Sequence, residues 1–253
     1  MKGVAQAGLI FLSVGIAILG IVLFLPPILQ DVSYHSFADD RQFFGIPNFL
    51  NVVSNLPFLV VGILGLRFVM ANEKNRQVFL DGLERWPYVV LFGGVCLTAF
   101  GSSYYHWAPD NNRLVWDRLP MAITFMAFFA GMIAERIRVD AGLWLLGPLL
   151  LLGIGSVANW HHTDDLRIYA VVQFYPLAII PVMLCLCPSR YQGMQYIWGA
   201  LGWYILAKIL ELHAADYGIF ALGQVASGHT LKHLAAATGA LWVYWYIARR
   251  RPA

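Results

Sequence analysis

Two histidines near the end of the chain, His229 and His233, are the residues best placed to do chemistry. In a helix, positions four apart lie on one face, so both imidazoles would point the same way. That spacing suits two ligands of one zinc ion, which binds nitrogen at about 2.0–2.1 Å and at catalytic sites uses three protein ligands plus water. His106 can supply the third ligand from an earlier segment. Ser102 precedes it by one helical turn on the same face, and Asp117 follows after a short break. A hydroxyl and a carboxylate beside a metal can orient a water molecule and take its proton. Blander roles compete. HxxxH pairs arise by chance, and a helix-end histidine commonly sits at a membrane interface. Asp117 could pair with Arg118 or Arg113, and Ser102 could bond back to its own helix.

These residues must be positioned by helices. The chain has 253 residues, 59% hydrophobic and only 12% charged, against about 25% charged in soluble domains. Apolar stretches fall at roughly 7–29, 48–70, 87–106, 115–135, 142–159, 167–187, 195–213 and 228–248. A spanning helix needs about 20 such residues, and backbone groups in lipid must bond within their own segment. The reading is an all-α, polytopic transmembrane bundle crossing about eight times, with no room for a separate soluble domain. The first stretch is longer than the roughly 7–15 residues of a signal-peptide core, and no small-residue cleavage site follows it. It reads as a retained helix.

Basic residues are scattered, the only cluster being Arg249, Arg250 and Arg251, which argues against a nucleic-acid partner. Cys96, Cys185 and Cys187 give neither a disulfide framework nor a zinc-cysteine spacing, so they read as packing residues. One set of loops holds Lys2, Arg67, Lys74, Arg76, Arg85, Arg136, Arg138, Arg190 and the three C-terminal arginines; the other holds Arg41, Arg113, Arg118 and Arg167. By the positive-inside rule both termini are cytoplasmic. The ends carrying His106, Asp117 and His229 then face the opposite side.

Other polar residues read as structural. Lys208 and Glu211 are spaced to pair with each other. Lys232 is about one turn deep, can snorkel outward, and is expected to point away from the His229/His233 face. Asn51 and Asn55 share a face and suit hydrogen bonds across helices. His35, His161, His162 and His213 fall at the same membrane face, where a second metal site is the lesser alternative. Trp86, Trp107, Trp116 and Trp160 lie near predicted membrane edges and read as anchors.

In order along the chain, Asn51-Val52-Val53-Ser54-Asn55-Leu56, Ser102-x3-His106, Trp116-Asp117-Arg118-Leu119-Pro120-Met121 and His229-x3-His233 resemble the alkaline ceramidases. Those belong to a superfamily of membrane hydrolases that includes adiponectin-receptor-like proteins. The resemblance runs from about residue 45 to the C-terminus. It implies a seven-helix core over about 45–250, with zinc held by His106, His229 and His233. It implies that Ser102 and Asp117 contact the activated water or the reacting group. Two features depart from it. A helix at about 7–29 precedes the core. The family's acidic calcium-binding segment also differs: Asn48 stands where its glutamate would be, with Asp39 and Asp40 nearby in another arrangement.

The function expected is zinc-dependent hydrolysis of the amide bond of a ceramide-like or other N-acyl lipid, giving a fatty acid and an amine. The partners expected are the membrane and that lipid; no pattern specifies an oligomeric state. Two alternatives stand beside it: a receptor or sensor whose zinc is structural, with Asp117 as fourth ligand, and a transporter using Asp117, Lys208 and Glu211 as an ion path. The absence of an internal repeat weighs against the transporter.

Overall fold

Proline, glycine and capping side chains decide where each apolar stretch becomes a helix. The computed structural model describes residues 2–71 and 78–253, with side chains from Ala7 onward. Helix α1 spans Lys2–Phe24. It begins and ends about five residues earlier than expected, because Pro26 and Pro27 cannot continue it. The 48–70 stretch is two helices, α2 (Phe49–Val53) and α3 (Leu56–Met70). Pro57 lies in the first turn of α3, where a missing amide hydrogen costs nothing. The break leaves Ser54 and Asn55 between them.

Five helices follow the expected stretches closely: α4 (Arg85–Trp107), α5 (Asn111–Arg136), α6 (Val139–Thr163), α7 (Arg167–Leu186) and α8 (Met194–Leu210). Then comes α9 (His213–Gly223), which no apolar stretch announced. It is only 11 residues long and carries His213 and Asp216, so hydropathy passes over it. The last helix is α10 (Gly228–Arg249). Among the described residues there are no β-strands, only isolated bridges.

The bundle is built from antiparallel neighbours. Helix α5 packs between α4 and α6, α3 lies on α4, and α8 pairs with α10, which returns against α3. Their shared core includes Val69, Tyr88, Phe92, Ala127, Ile197 and Ile247. Seven helices (α3 to α8 and α10) make this bundle, and α1 stands outside it, packing chiefly on α7. The Arg167 guanidinium takes up carbonyls at the end of α1, from Val22, Leu23 and Leu25. The same guanidinium holds the Asp165 carboxyl below the usual carboxylate range.

Among the described residues six segments are long and apolar enough to cross a membrane: Ala7–Phe24, Phe49–Met70, Gly82–Trp107, Asn111–Arg136, Val139–Thr163 and Arg167–Leu186. Helix α8, at 17 residues, is short for a span, and α10 opens on polar residues. The outer surface carries Leu9, Ile16, Phe100, Trp144, Leu151 and Leu222 in exposed positions. Water would not favour so broad an apolar surface. Trp86, Trp107 and Trp116 are exposed, as anchors would be, but Trp160 is buried beneath Arg118.

The end of the bundle opposite His106 corrects the reading of its charges. Lys74, Arg76 and the side chain of Lys2 lie outside the described residues. Arg136 and Arg250 are buried rather than in solvated loops. Glu135 accepts from Tyr88 and Tyr246, each at 2.6 Å, and pairs with Arg250. The Arg250 guanidinium lies 3.8 Å from the centre of the Tyr191 ring. Glu84 accepts from Tyr191 and pairs with Arg190. Of the cysteines, Cys187 is buried and Cys96 partly so, while Cys185 is exposed.

Candidate metal centre

Two close backbone approaches assemble the site. Helices α4 and α5 are joined by a tight turn whose Asp110 side chain caps α5, accepting from the Arg113 amide at 2.7 Å. Near that turn the helices touch at Gly101. A Cβ there would lie 1.9 Å from the Trp116 carbonyl oxygen, so only glycine permits the contact. The neighbours of this point are Ser102 and Asp117, both 3% exposed, with the Ser102 hydroxyl close enough to act on the Asp117 carboxyl. Gly228 plays the same part at the start of α10. A Cβ there would crowd the Leu210 and Ala215 carbonyls at 2.7 and 2.9 Å. Ser227 caps the helix, accepting from the Thr230 amide, and Asp216 of α9 accepts from the His229 amide at 2.7 Å. The unexpected helix α9 therefore fixes where α10 begins.

These constraints bring His106, His229 and His233 together. All three are buried, and their ligand nitrogens lie within 4.8 Å of one another. Ring centres are 4.8, 4.8 and 5.0 Å apart, a nearly equilateral triangle. Nε2 of His106 and Nε2 of His229 are 3.4 Å apart. Two nitrogens bound tetrahedrally at about 2.0–2.1 Å would be separated by about 3.4 Å. The pair therefore keeps the distance that two ligands of one ion require.

The surrounding hydrogen bonds favour the same use. Ser54 Oγ lies 2.7 Å from His233 Nδ1 and 3.3 Å from the Asn51 carbonyl. The hydroxyl has one hydrogen; donating it to the carbonyl leaves Ser54 to accept from Nδ1–H. That tautomer puts the lone pair of His233 on Nε2, the state a metal needs. His233 Nε2 is buried with no hydrogen-bond partner, as is His106 Nδ1. Buried polar atoms are seldom left so; a bound ion would account for His233 Nε2, whereas His106, which turns Nε2 to the centre, keeps its Nδ1 unpaired. The donor set, three neutral nitrogens in a dry setting, fits zinc among the common metals.

The sequence reading holds in part around this centre. Asn51 does bond across helices: its Oδ1 accepts from Thr230 at 2.8 Å, and its Nδ2 donates to the Asp39 carbonyl. Asn55 does not, since its Nδ2 bonds only to carbonyls of its own segment. Lys208 and Glu211 pair as expected. Lys232 is the clear correction. It does not point away: Nζ lies 3.3 Å from His229 Nε2 and 2.8 Å from Glu211 Oε1. Glu211 draws it inward instead of letting it snorkel. Among the described residues Asp117 has no ion pair; Arg113 pairs with Asp110, and Arg118 lies 4.0 Å from the centre of the Trp160 ring. Asp117 also stands outside the compact nitrogen group.

Among the described residues no second group of ligands forms. His35 bonds to Tyr105 and Asn111, and His213 stacks on Tyr217 at 4.3 Å. Asp39, near the expected calcium segment, is engaged by Arg41, and Asn48 donates to the His106 carbonyl at 2.9 Å.

Sequence reasoning gave no role to Ser54 and passed over Phe37. Ser54 belongs to the Asn-x-x-Ser-Asn stretch, which was a usable signal. Phe37 lies in the irregular segment after α1, where no periodicity helps. Its ring covers the centre, 4.8 Å from His106 and 4.5 Å from His229. That segment is tied down by Ala38 N–H to Asp216, Arg118 to Gln30 and Tyr34 to Glu211.

One cavity reaches the histidines and a second lies about one helical turn from them. A polar one of about 190 Å³ reaches His229 and is lined by Tyr34, Ser36, Phe37, Glu211 and Asp216. An apolar one of about 130 Å³ lies within the bundle. Thr98, Met121 and Ala236 on its wall lie about one turn from Ser102, Asp117 and His233. Compared with known proteins, the chain matches no family model and no curated protein.

Proposed function

We propose that this protein is a membrane-embedded, zinc-dependent hydrolase that cleaves the amide bond of a ceramide-like or other N-acyl lipid, as the alkaline ceramidases do. The observation that carries the reading is the buried histidine triangle with two nitrogens at ligand spacing, beside the buried Ser102 and Asp117 of the adjoining hairpin. When bound, zinc supplies Lewis acidity, lowering the pKa of water from 15.7 toward about 7 and polarising a carbonyl.

The chain's own residues do the rest. Asp117, through its carboxylate oxygens, accepts the proton of the attacking water and delivers it to the leaving amine nitrogen. Ser102, through Oγ–H, holds that carboxylate in place and can turn to the developing oxyanion. Phe37 keeps bulk water off the histidines. The apolar cavity takes the acyl chain, and the polar cavity takes the amine side.

Eight crossings with both termini cytoplasmic would place the centre at the non-cytoplasmic face, an assignment resting on the distribution of Lys and Arg. A purely structural zinc would call for a fourth protein ligand. Asp117, the nearest sequence candidate, stands outside the nitrogen group, which supports an open position and so catalysis. The test is metal analysis of the purified protein, followed by fatty-acid release from a panel of N-acyl lipids. About one zinc per chain with release from at least one lipid is the expected result. Zinc without release from any would leave the receptor reading standing, and absence of metal would defeat both.

A further inference from the structure

A third cavity, larger than either of those near the histidines, takes no part in the chemistry proposed for them. It holds about 410 Å³ between α1 and the facing sides of α5, α6 and α7. Helix α1 buries only Phe11 among its described residues. Two close contacts hold it. A Cβ on Gly8 would lie 2.8 Å from Ile137, and one on Gly15 would lie 3.0 Å from the Tyr175 ring, whose hydroxyl donates to the Phe11 carbonyl. Leu12, Ile16 and Leu19 of the same helix line the space that is left.

The dimensions of that space are those of one hydrocarbon chain. Its walls run over 8–19 of α1, 126–137 at the end of α5 and 141–152 of α6. Each wall covers eleven residue steps, about 16 Å at 1.5 Å per residue. The hydrocarbon core of a bilayer is about 30 Å thick, so one leaflet is about 15 Å. Arg138, exposed and paired with Asp140, stands at one end of the cavity and marks where that leaflet meets water. Spread along about 16 Å, the volume gives a cross-section of roughly 25 Å². That admits a single file of methylene groups, which touch their neighbours at about 3.5–4.0 Å. A helix of a second copy, about 10–12 Å across, is too thick to enter. Water fits no better, because a trapped molecule needs about two to four polar partners. Tyr175 and Arg138 are the only polar side chains on the lining, and each is already engaged.

We infer that this cavity is a binding site for one acyl chain of a bilayer lipid, from the leaflet opposite the histidine centre, and that the bound chain completes the seat of α1 on the seven-helix bundle. The inference stands apart from the metal reading, since none of the three histidines lines this cavity.

The test uses the full-length protein reconstituted in vesicles of phosphatidylcholine, a small share of which carries a diazirine midway along one acyl chain. The protein is taken back into detergent, washed free of loosely held lipid and irradiated, and the labelled residues are mapped by mass spectrometry. Label should fall on the cavity walls, at Leu12, Leu149 and Val171, at least about tenfold above the exposed Leu64 and Phe100 on other faces. Leu12→Trp fills the cavity from α1 and Leu145→Phe fills it from α6. Each should cut the wall label by about tenfold or more. Helix α1 lies outside the bundle, so the first substitution leaves the packing of the bundle intact. Wall label no greater than that of Leu64 and Phe100 would overturn the inference, whether detergent or a second copy then covers the space. So would wall label that survives both substitutions.

A second arm carries the same diazirine on a free fatty acid at equal chain concentration. It should label the walls less than the phospholipid does. Stronger label from the fatty acid would make the occupant a free acyl chain and overturn the assignment to a bilayer lipid.

Discussion

The two ends of this bundle both bury charged and polar residues, and they do so to opposite effect. At one end Glu135 is shared by Tyr88, Tyr246 and Arg250, and Glu84 by Tyr191 and Arg190. Every described carboxylate there has partners; the buried nitrogens left without one, on Arg85, Arg136 and Arg250, belong to guanidiniums, which can only donate, and aromatic faces surround that of Arg250. At the other end His233 keeps a buried acceptor nitrogen without a partner, Asp117 makes no ion pair among the described residues, and a polar cavity reaches His229. A closed network ties the C-terminal helix to α4 and α5. An open one leaves capacity for a ligand. Buried polarity alone does not mark a functional site; an unmet acceptor beside free volume does.

Four experiments can break that comparison. The largest effect is expected from alanine at His106, His229 or His233. Each should reduce bound metal from about one per chain to near zero, measured by elemental analysis, whereas Glu135→Gln should leave metal content unchanged. Equal metal loss from both ends would erase the distinction. Next, Asp117→Asn should retain most of the metal while turnover falls by about 10²–10⁴, the range for a lost general base. If the variant unfolds instead, the carboxylate is structural.

Arg250→Met removes the cation of a buried pair and should destabilise the protein by about 3–5 kcal/mol, read as an earlier unfolding midpoint in detergent. A shift no larger than that of an exposed arginine such as Arg138 would show that the closed network is not a brace. The smallest effect is expected from Ser54→Ala. It should weaken metal affinity by about 10–100-fold through loss of the bond that sets the His233 tautomer. Unaltered affinity in a competition assay with a chelator would remove Ser54 from the site.

Much of the molecule was legible in the residues. Composition led to an expectation of about eight crossings, because a backbone in lipid can only satisfy itself as a helix; among the described residues six segments are long and apolar enough to span. The i, i+4 spacing alone put His229 and His233 on one face. The hairpin turn between α4 and α5 brought Ser102 and Asp117 to one level. Less legible was the small helix α9, too short and too polar for a hydropathy window. The burial of Trp160 and Arg250 was also out of reach, since an aromatic ring or a guanidinium is equally at home on a membrane edge. Lys232 was misread because snorkelling is the default for a lysine near a helix end, and nothing local announces that Glu211 lies across from it.

The spacing of His229 and His233 is a property of the sequence by itself: 3.6 residues per turn fixes it without any tertiary contact. The third ligand is different. His106 lies more than a hundred residues earlier, and only packing decides that it meets the other two. Gly101 lets α4 and α5 touch, Gly228 and Asp216 seat the start of α10, and Ser54 turns the His233 ring. Those are interactions between segments, set by shape and by hydrogen-bond partners far apart in the chain. They also decided what no spacing could: that Phe37 covers the centre and that Lys232 faces into it.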